Sequence, residues 1–280
     1  MHRMRNRETV RGNAESLKAT YLKHTEYHHY PGGLKKLEFI VETLCALERD
    51  AAQVSVLDVG CGNGSLALPI ASLGYRVVGV DVDPISVEHA TRANTFANAR
   101  FETVAESGFD LGERFDVLIC SEVLEHLDEP MPLICTIAGL MKDDGLAIVT
   151  VPNGQGLREV LGRLENVLKG SLGLRKVLKS ARKLGGMPDA DEKCLMHTSN
   201  VEEAGTGHVQ AFSLPGITRR LARGGLELVK VVKSFFLFSV FVGKRGDRWT
   251  AVDRLDSRLA DALPALMAGG WYLLCRKRKS

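Results

Sequence analysis

The chain has 280 residues, 45% of them apolar and 25% charged, with 37 Lys and Arg against 34 Asp and Glu for a net charge of +3. These proportions suit one large, elaborated globular domain and exclude disordered, collagen-like and coiled-coil classes. So small a net charge does not by itself point to nucleic acid.

Residues 1–33 are polar and end in TEYHHYPGG. They hold no apolar stretch, so no secretory leader is expected. His28, His29 and Tyr30 suit either closure over a ligand site or a plain capping turn, within an N-terminal cap spanning 1–50. Leu37, Ile40, Val41, Leu44 and Leu47 then repeat at helical spacing and predict an amphipathic helix over 35–49. After it the period shortens. SVLDVG (55–60), RVVGVD (76–81), RFETV (100–104), FDVLICS (115–121) and LAIVTVP (146–152) read as buried strands. Helices are expected between them at 63–73, 84–97 and 130–142, the second opened by Asp83 as N-cap and Pro84 in the first turn. This alternation predicts an α/β fold, a doubly wound and mostly parallel sheet covered on both faces, with its first part at 51–153.

The rhythm breaks at 154–207. Two amphipathic helices are expected at 157–168 and 174–184, with eight Lys or Arg against two Glu over 157–186. A polar loop follows at 185–207. This insertion reads as a helical lid. Its basic face also suits peripheral contact with an anionic membrane. It lacks stacking aromatics, which argues against RNA. The sheet pattern resumes over 208–280 with a helix at 213–224, a strand at 226–232, a helix near 250–263 and a strand at 271–277. The longest apolar run, Phe235 to Val242, falls short of the ~20 residues of a membrane span. It reads as core or as the wall of an apolar pocket. Six cysteines form no CxxC pair, so a reduced, cytoplasmic protein is expected.

The chemistry concentrates at the end of the first strand. Asp58-Val59-Gly60-Cys61-Gly62-Asn63-Gly64 carries a strand into a glycine turn. Glycines there let backbone approach a ligand closely. The spacing is G-x-G-x-G rather than the G-x-G-x-x-G of dinucleotide binders. Asp58 before it would repel a pyrophosphate but suits an ammonium and a sulfonium. Asp81, at the end of the second strand, suits two ribose hydroxyls. The implied ligand carries a ribose and positive charge and no phosphate.

On LDVGCGNG (57–64), VVGVDVDP (77–84), ETVAES (102–107) and FDVLICSEVLEHL (115–127), the chain resembles the class I S-adenosylmethionine-dependent methyltransferases. The resemblance implies their seven-stranded Rossmann-like sheet and S-adenosyl-L-methionine as cofactor. Gly60, Cys61, Gly62 and Gly64 would lie against its methionine and ribose. Asp58 would hold the amino group, Asp81 with Val82 the ribose side, Ala105 and Glu106 the adenine, and Cys120 the methionine end.

Glu122, Glu125 and His126 follow the fourth strand at i, i+3 and i+4, a spacing that places them on one face if the segment is helical. Two carboxylates and an imidazole suit Mg²⁺ or another divalent cation, with His208 as a fourth ligand and His197 as a weaker one. The same ExxEH is similar to that of ubiquinone-biosynthesis O-methyltransferases and of small-RNA 3′-end 2′-O-methyltransferases, in which resemblance implies a cation. It also suits a metal-free general base or a structural brace. The expected activity is O-methylation of a small apolar phenolic, quinone-precursor or hydroxylated acceptor. RNA 2′-O-methylation, transfer to carbon or nitrogen, and a cofactor-binding module without chemistry are the alternatives. No obligate protein partner is evident.

Overall fold

The computed structural model describes residues 33–154, 209–234 and 258–278, together with the isolated positions 12, 16 and 19. The expected helix pair at 157–184, the loop at 185–207, His28, His29, Tyr30, His197, His208, the Phe235–Val242 run and residues 250–257 of the last expected helix lie outside the described residues.

Among the described residues seven strands form one sheet in the order β3-β2-β1-β4-β5-β7-β6. They are β1 Ser55–Val59, β2 Arg76–Asp81, β3 Ala99–Thr103, β4 Phe115–Ser121, β5 Met141–Pro152, β6 Leu226–Lys233 and β7 Gly270–Lys277. β1 to β5 pair in parallel, and β7 runs antiparallel to both its neighbours, β5 and β6. Among the described residues the sheet is flanked by α1 Gly33–Cys45, α2 Ala67–Ser72, α3 Pro84–Ala93, α4 Met131–Leu140 and α5 Leu214–Arg223, and residues 258–262, the described part of the last expected helix, are helical as well. Every residue of β1 is buried, as a central parallel strand covered on both faces requires.

Alternate residues of the strands feed two cores. Leu57, Val78, Val80, Leu118 and Val149 pack with Ile134 and Ile137 of α4 and Ile217 and Leu221 of α5. Val56, Val77, Val117, Ile119 and Ile148 pack with Phe39, Ile40 and Leu44 of α1 and Ala67 and Ile70 of α2. The helix starts follow local chemistry. Asp83 accepts from the Ile85 and Ser86 N–H groups, with Pro84 in the first turn, and Ser213 accepts from the Gly216 N–H.

Several boundaries differ from the sequence expectation for identifiable reasons. Helix α2 begins at Ala67 rather than 63, because Gly62 (φ 51°) and Gly64 (φ 81°) take left-handed backbone that a right-handed helix cannot contain. α3 stops at Ala93 because Asn94 leaves the helix and accepts from the Phe96 N–H in an Asx turn. α1 ends at Cys45, short of 49, and Glu48 turns at φ 52°. β5 starts at Met141, where the expected helix would still run, with an irregular register against β4 between Phe115 and Val117.

Candidate active site

The site lies at the C-terminal ends of β1, β2, β4 and β5, beside the point where the strand order reverses between β1 and β4. Gly60 and Cys61 both donate their backbone N–H to the Val80 carbonyl, at 2.8 and 3.0 Å, which fastens the glycine turn to β2. Gly60 has φ 72°, and a Cβ there would come within 2.4 Å of Val123 Cγ2. The turn therefore nests under the segment that follows β4. At Gly62 a Cβ would meet nothing within 4 Å among the described residues, so with respect to them this side of the turn is open.

Asp58 is 1% exposed, and its Oδ2 has no hydrogen-bond partner among the described residues. Burial, then the neighbouring Asp81 charge, pushes its carboxyl up to about 7, while the Lys36 ammonium and the Ala67 backbone N–H pull the other way. A buried carboxyl oxygen left unpaired is costly unless something binds it. Asp81 is also buried. Its Oδ2 accepts from the Gly62 N–H at 2.8 Å and its Oδ1 from the Asp83 N–H at 3.0 Å. Each oxygen keeps a second lone pair for a ligand hydroxyl. The Val104 N–H donates to the Asp81 carbonyl at 3.0 Å, which sets the exposed Ala105 and Glu106 beside the end of β2. Val82 is 54% exposed and Ile85, in the first turn of α3, is 48% exposed, so an apolar shelf borders the same edge. Cys61 and Cys120 are buried thiols held well above their ordinary range, chiefly by burial and then by the surrounding carboxylates.

Glu122, Glu125 and His126 do not share a helix face. Glu122 sits at φ 56°, a left-handed turn that ends β4, and only Leu124–His126 form a 3-10 turn. Glu122 donates its N–H to the Thr150 carbonyl at 3.1 Å, and its Oε1 accepts from Thr150 Oγ1 at 2.7 Å. Glu125 is fully buried, and neither carboxyl oxygen is hydrogen-bonded among the described residues. Burial and then the Glu122 charge push it up to about 9. Among the described residues no three His, Cys, Asp or Glu side chains gather as a metal site, and His208 lies outside them.

Two side chains join the site that the sequence pattern did not single out. Lys36 of α1 is 8% exposed, donates to Ser121 Oγ at 2.9 Å and lies 3.5 Å from Glu122 Oε1. Gln210 donates Nε2 to the Leu127 and Asp128 carbonyls, each at 2.6 Å, while the Val209 and Gln210 N–H groups both donate to the Glu125 carbonyl. The turn after β4 is thereby tied to the segment entering α5. Lys36 carried a readable signal: it stands four residues before Ile40, within the buried stripe of an amphipathic helix.

The curated "Ubiquinone biosynthesis O-methyltransferase" of Rickettsia felis is 32% identical over 131 residues, which cover 45% of this chain and 53% of the relative. That of Bartonella quintana is 36% identical over 129 residues, covering 42% of this chain and 52% of the relative. The chain thus spans about half the length of the curated relatives it matches. Among solved structures, magnesium protoporphyrin IX methyltransferase from Synechocystis PCC 6803 with bound S-adenosylhomocysteine is similar in fold. Its TM-score is 0.51 at 20% identity, over 88% of this chain and 84% of that one. The family model described as "Methyltransferase domain" matches residues 28–231. With more than half its length matched, the chain belongs to the methyltransferase domain family.

Proposed function

We propose that the chain is an S-adenosylmethionine-dependent methyltransferase that acts on an oxygen of a small, fairly apolar phenolic acceptor, of the quinone-precursor kind. The observation that carries the cofactor reading is the buried, unpaired Asp58 oxygen beside a glycine turn whose backbone faces open space. S-adenosylmethionine, when bound, supplies a methyl group already activated on a sulfonium. The chain's own task is to hold, align and deprotonate.

Asp58 takes the amino group of the ligand. Lys36, whose ammonium acts electrostatically on Asp58, takes the carboxylate. Asp81, anchored by two backbone N–H groups, accepts from the ribose hydroxyls. Val82 and Ile85 offer apolar surface to the base. Glu122, Glu125 and His126 stand on the acceptor side. A phenol with a pKa near ~10 must lose its proton as the methyl arrives, and Glu122 or His126 supplies the base, while the protonated Glu125 lines the same side. The names of the curated relatives support oxygen as the acceptor atom.

The test is calorimetric titration of EDTA-treated protein with S-adenosylhomocysteine, followed by methyl transfer from S-adenosylmethionine to a panel of catechols and alkylated phenols. Stoichiometric binding and formation of methyl ethers are expected. Absence of binding overturns the cofactor reading. Binding with transfer only to carbon or nitrogen acceptors overturns the oxygen reading.

A further inference from the structure

Four side chains close a ring at the ends of β4 and β5. Lys36 Nζ donates to Ser121 Oγ at 2.9 Å, and Ser121 Oγ lies 3.0 Å from Thr150 Oγ1. Thr150 Oγ1 donates to Glu122 Oε1 at 2.7 Å, and Glu122 Oε1 lies 3.5 Å from Lys36 Nζ. Thr150 is fully buried and Lys36 nearly so, so water screens this ring little. Lys36 comes from α1, Ser121 and Glu122 from the end of β4 and Thr150 from β5. The ring therefore joins the N-terminal helix to the acceptor side of the site.

The same ammonium acts in two directions. It makes an ion pair with Glu122, and it favours the charged forms of both Asp58 and Glu125. Asp58 belongs to the cofactor side, and Glu122 and Glu125 to the acceptor side. In an amino acid the carboxylate and the ammonium share one carbon. A ligand whose ammonium meets Asp58 therefore presents its carboxylate within a few ångströms of that contact. Lys36 has a flexible four-carbon stem with three rotatable donors and can serve either partner.

We propose that Lys36 is shared between Glu122 and the ligand. Before binding, its ammonium neutralises Glu122. On binding it turns to the carboxylate of the cofactor, and Glu122 is released toward the acceptor. Cofactor occupancy thereby readies the acceptor side, and Lys36 is the residue that couples the two. The proposal rests on the reading that S-adenosylmethionine binds with its carboxylate toward Lys36. Linkage makes the coupling reciprocal: whatever holds Lys36 to Glu122 weakens the ligand, and removing that hold strengthens it.

The test measures binding of two probes to the whole chain by calorimetry. One is S-adenosylhomocysteine; the other is S-adenosyl-3-thiopropylamine, the same molecule without its carboxylate. Glu122→Gln is expected to tighten S-adenosylhomocysteine by roughly three- to tenfold and to leave the decarboxylated probe unchanged. Ser121→Ala, which removes one neutral hold on Lys36, should tighten the first probe by a smaller factor. Lys36→Met should weaken it by about tenfold, and Glu122→Gln should then have no further effect. Thermal melts of each variant confirm that it is folded. If Lys36→Met weakens S-adenosylhomocysteine but neither Glu122→Gln nor Ser121→Ala tightens it, the coupling is overturned and the carboxylate reading stands. If Lys36→Met leaves its affinity unchanged, the carboxylate reading fails and the coupling fails with it.

Discussion

Asp58 shows how a single residue can cost stability and yet be kept for binding. Its carboxyl sits near 7 in the folded chain, well above the value near 3.9 of an unfolded aspartate. Between those values the folded state holds a proton that the unfolded state has released. Stability from this group therefore falls as pH rises from about 4 to 7 and stays low above it. Asp58→Asn removes that penalty, which is of the order of a few kcal/mol. The variant is expected to melt higher than the parent at pH 8, with the gap closing toward pH 4. It is also expected to lose S-adenosylhomocysteine affinity by at least about tenfold, since a neutral amide pairs poorly with an ammonium. In the parent, affinity should fall about tenfold per pH unit below 7, as the ligand's ammonium must displace the proton. Calorimetry and melting curves across pH 5–8 check both; a variant that melts lower at pH 8 contradicts the account. Asp58 was legible from its place two residues before the first glycine. Lys36 was not singled out, because its partner Ser121 stands 85 positions away and becomes a neighbour only when α1 packs on the sheet.

At the scale of elements, the glycine turn divides its two duties between two residues. A methyl on Gly60 would strike Val123 as well as strain φ, whereas a methyl on Gly62 would strain φ and project into the space offered to the ligand. Gly60→Ala should therefore destabilise the fold by roughly 2–4 kcal/mol, with part of the loss recovered by Val123→Ala. Gly62→Ala should cost only about 1 kcal/mol of stability but most of the S-adenosylhomocysteine affinity. Denaturant unfolding and calorimetry separate the two cases, and equal stability losses would refute the division. The strands were easy to read because runs such as RVVGVD and FDVLICS are both apolar and β-branched. The turn after β4 departs from the sequence expectation for an opposite reason. Glu122 holds a left-handed φ that residue type does not announce, so the ExxE spacing looked helical although the chain bends at its first residue. α2 starts later than the periodicity predicts because Gly64, inside the expected first turn, holds a positive φ.

At the scale of the whole molecule, charge is divided between the two ends of the sheet. The C-terminal ends carry carboxyls held above their ordinary range. At the N-terminal end of β4, Asp116 is buried, and burial alone would raise it. Hydrogen bonds from Lys142, from the Ser55 backbone and hydroxyl, and from Arg49 outweigh burial and hold it well below the usual carboxylate range. This one side chain fastens the turn after α1, β1 and β5 to β4. Its stabilisation is present above the unfolded value near 3.9 and is lost as pH falls through the lower folded value. Asp116→Asn should lower unfolding free energy by about 1–3 kcal/mol at pH 7, with the gap narrowing below about pH 4. Urea unfolding at pH 7 and pH 3.5 checks this; a gap that widens in acid would contradict it. The sheet order carries a further consequence, for synthesis. β6 has β7 as its partner, and β7 fills the place between β5 and β6. As the ribosome emits the chain, β6 emerges before the strand it must pair with, and β5 keeps an open edge toward it. At about 5–20 residues per second that edge stays bare for seconds. In that interval the nascent chain is vulnerable to strand pairing with its neighbours on the same messenger, and a holding chaperone has its natural point of entry there.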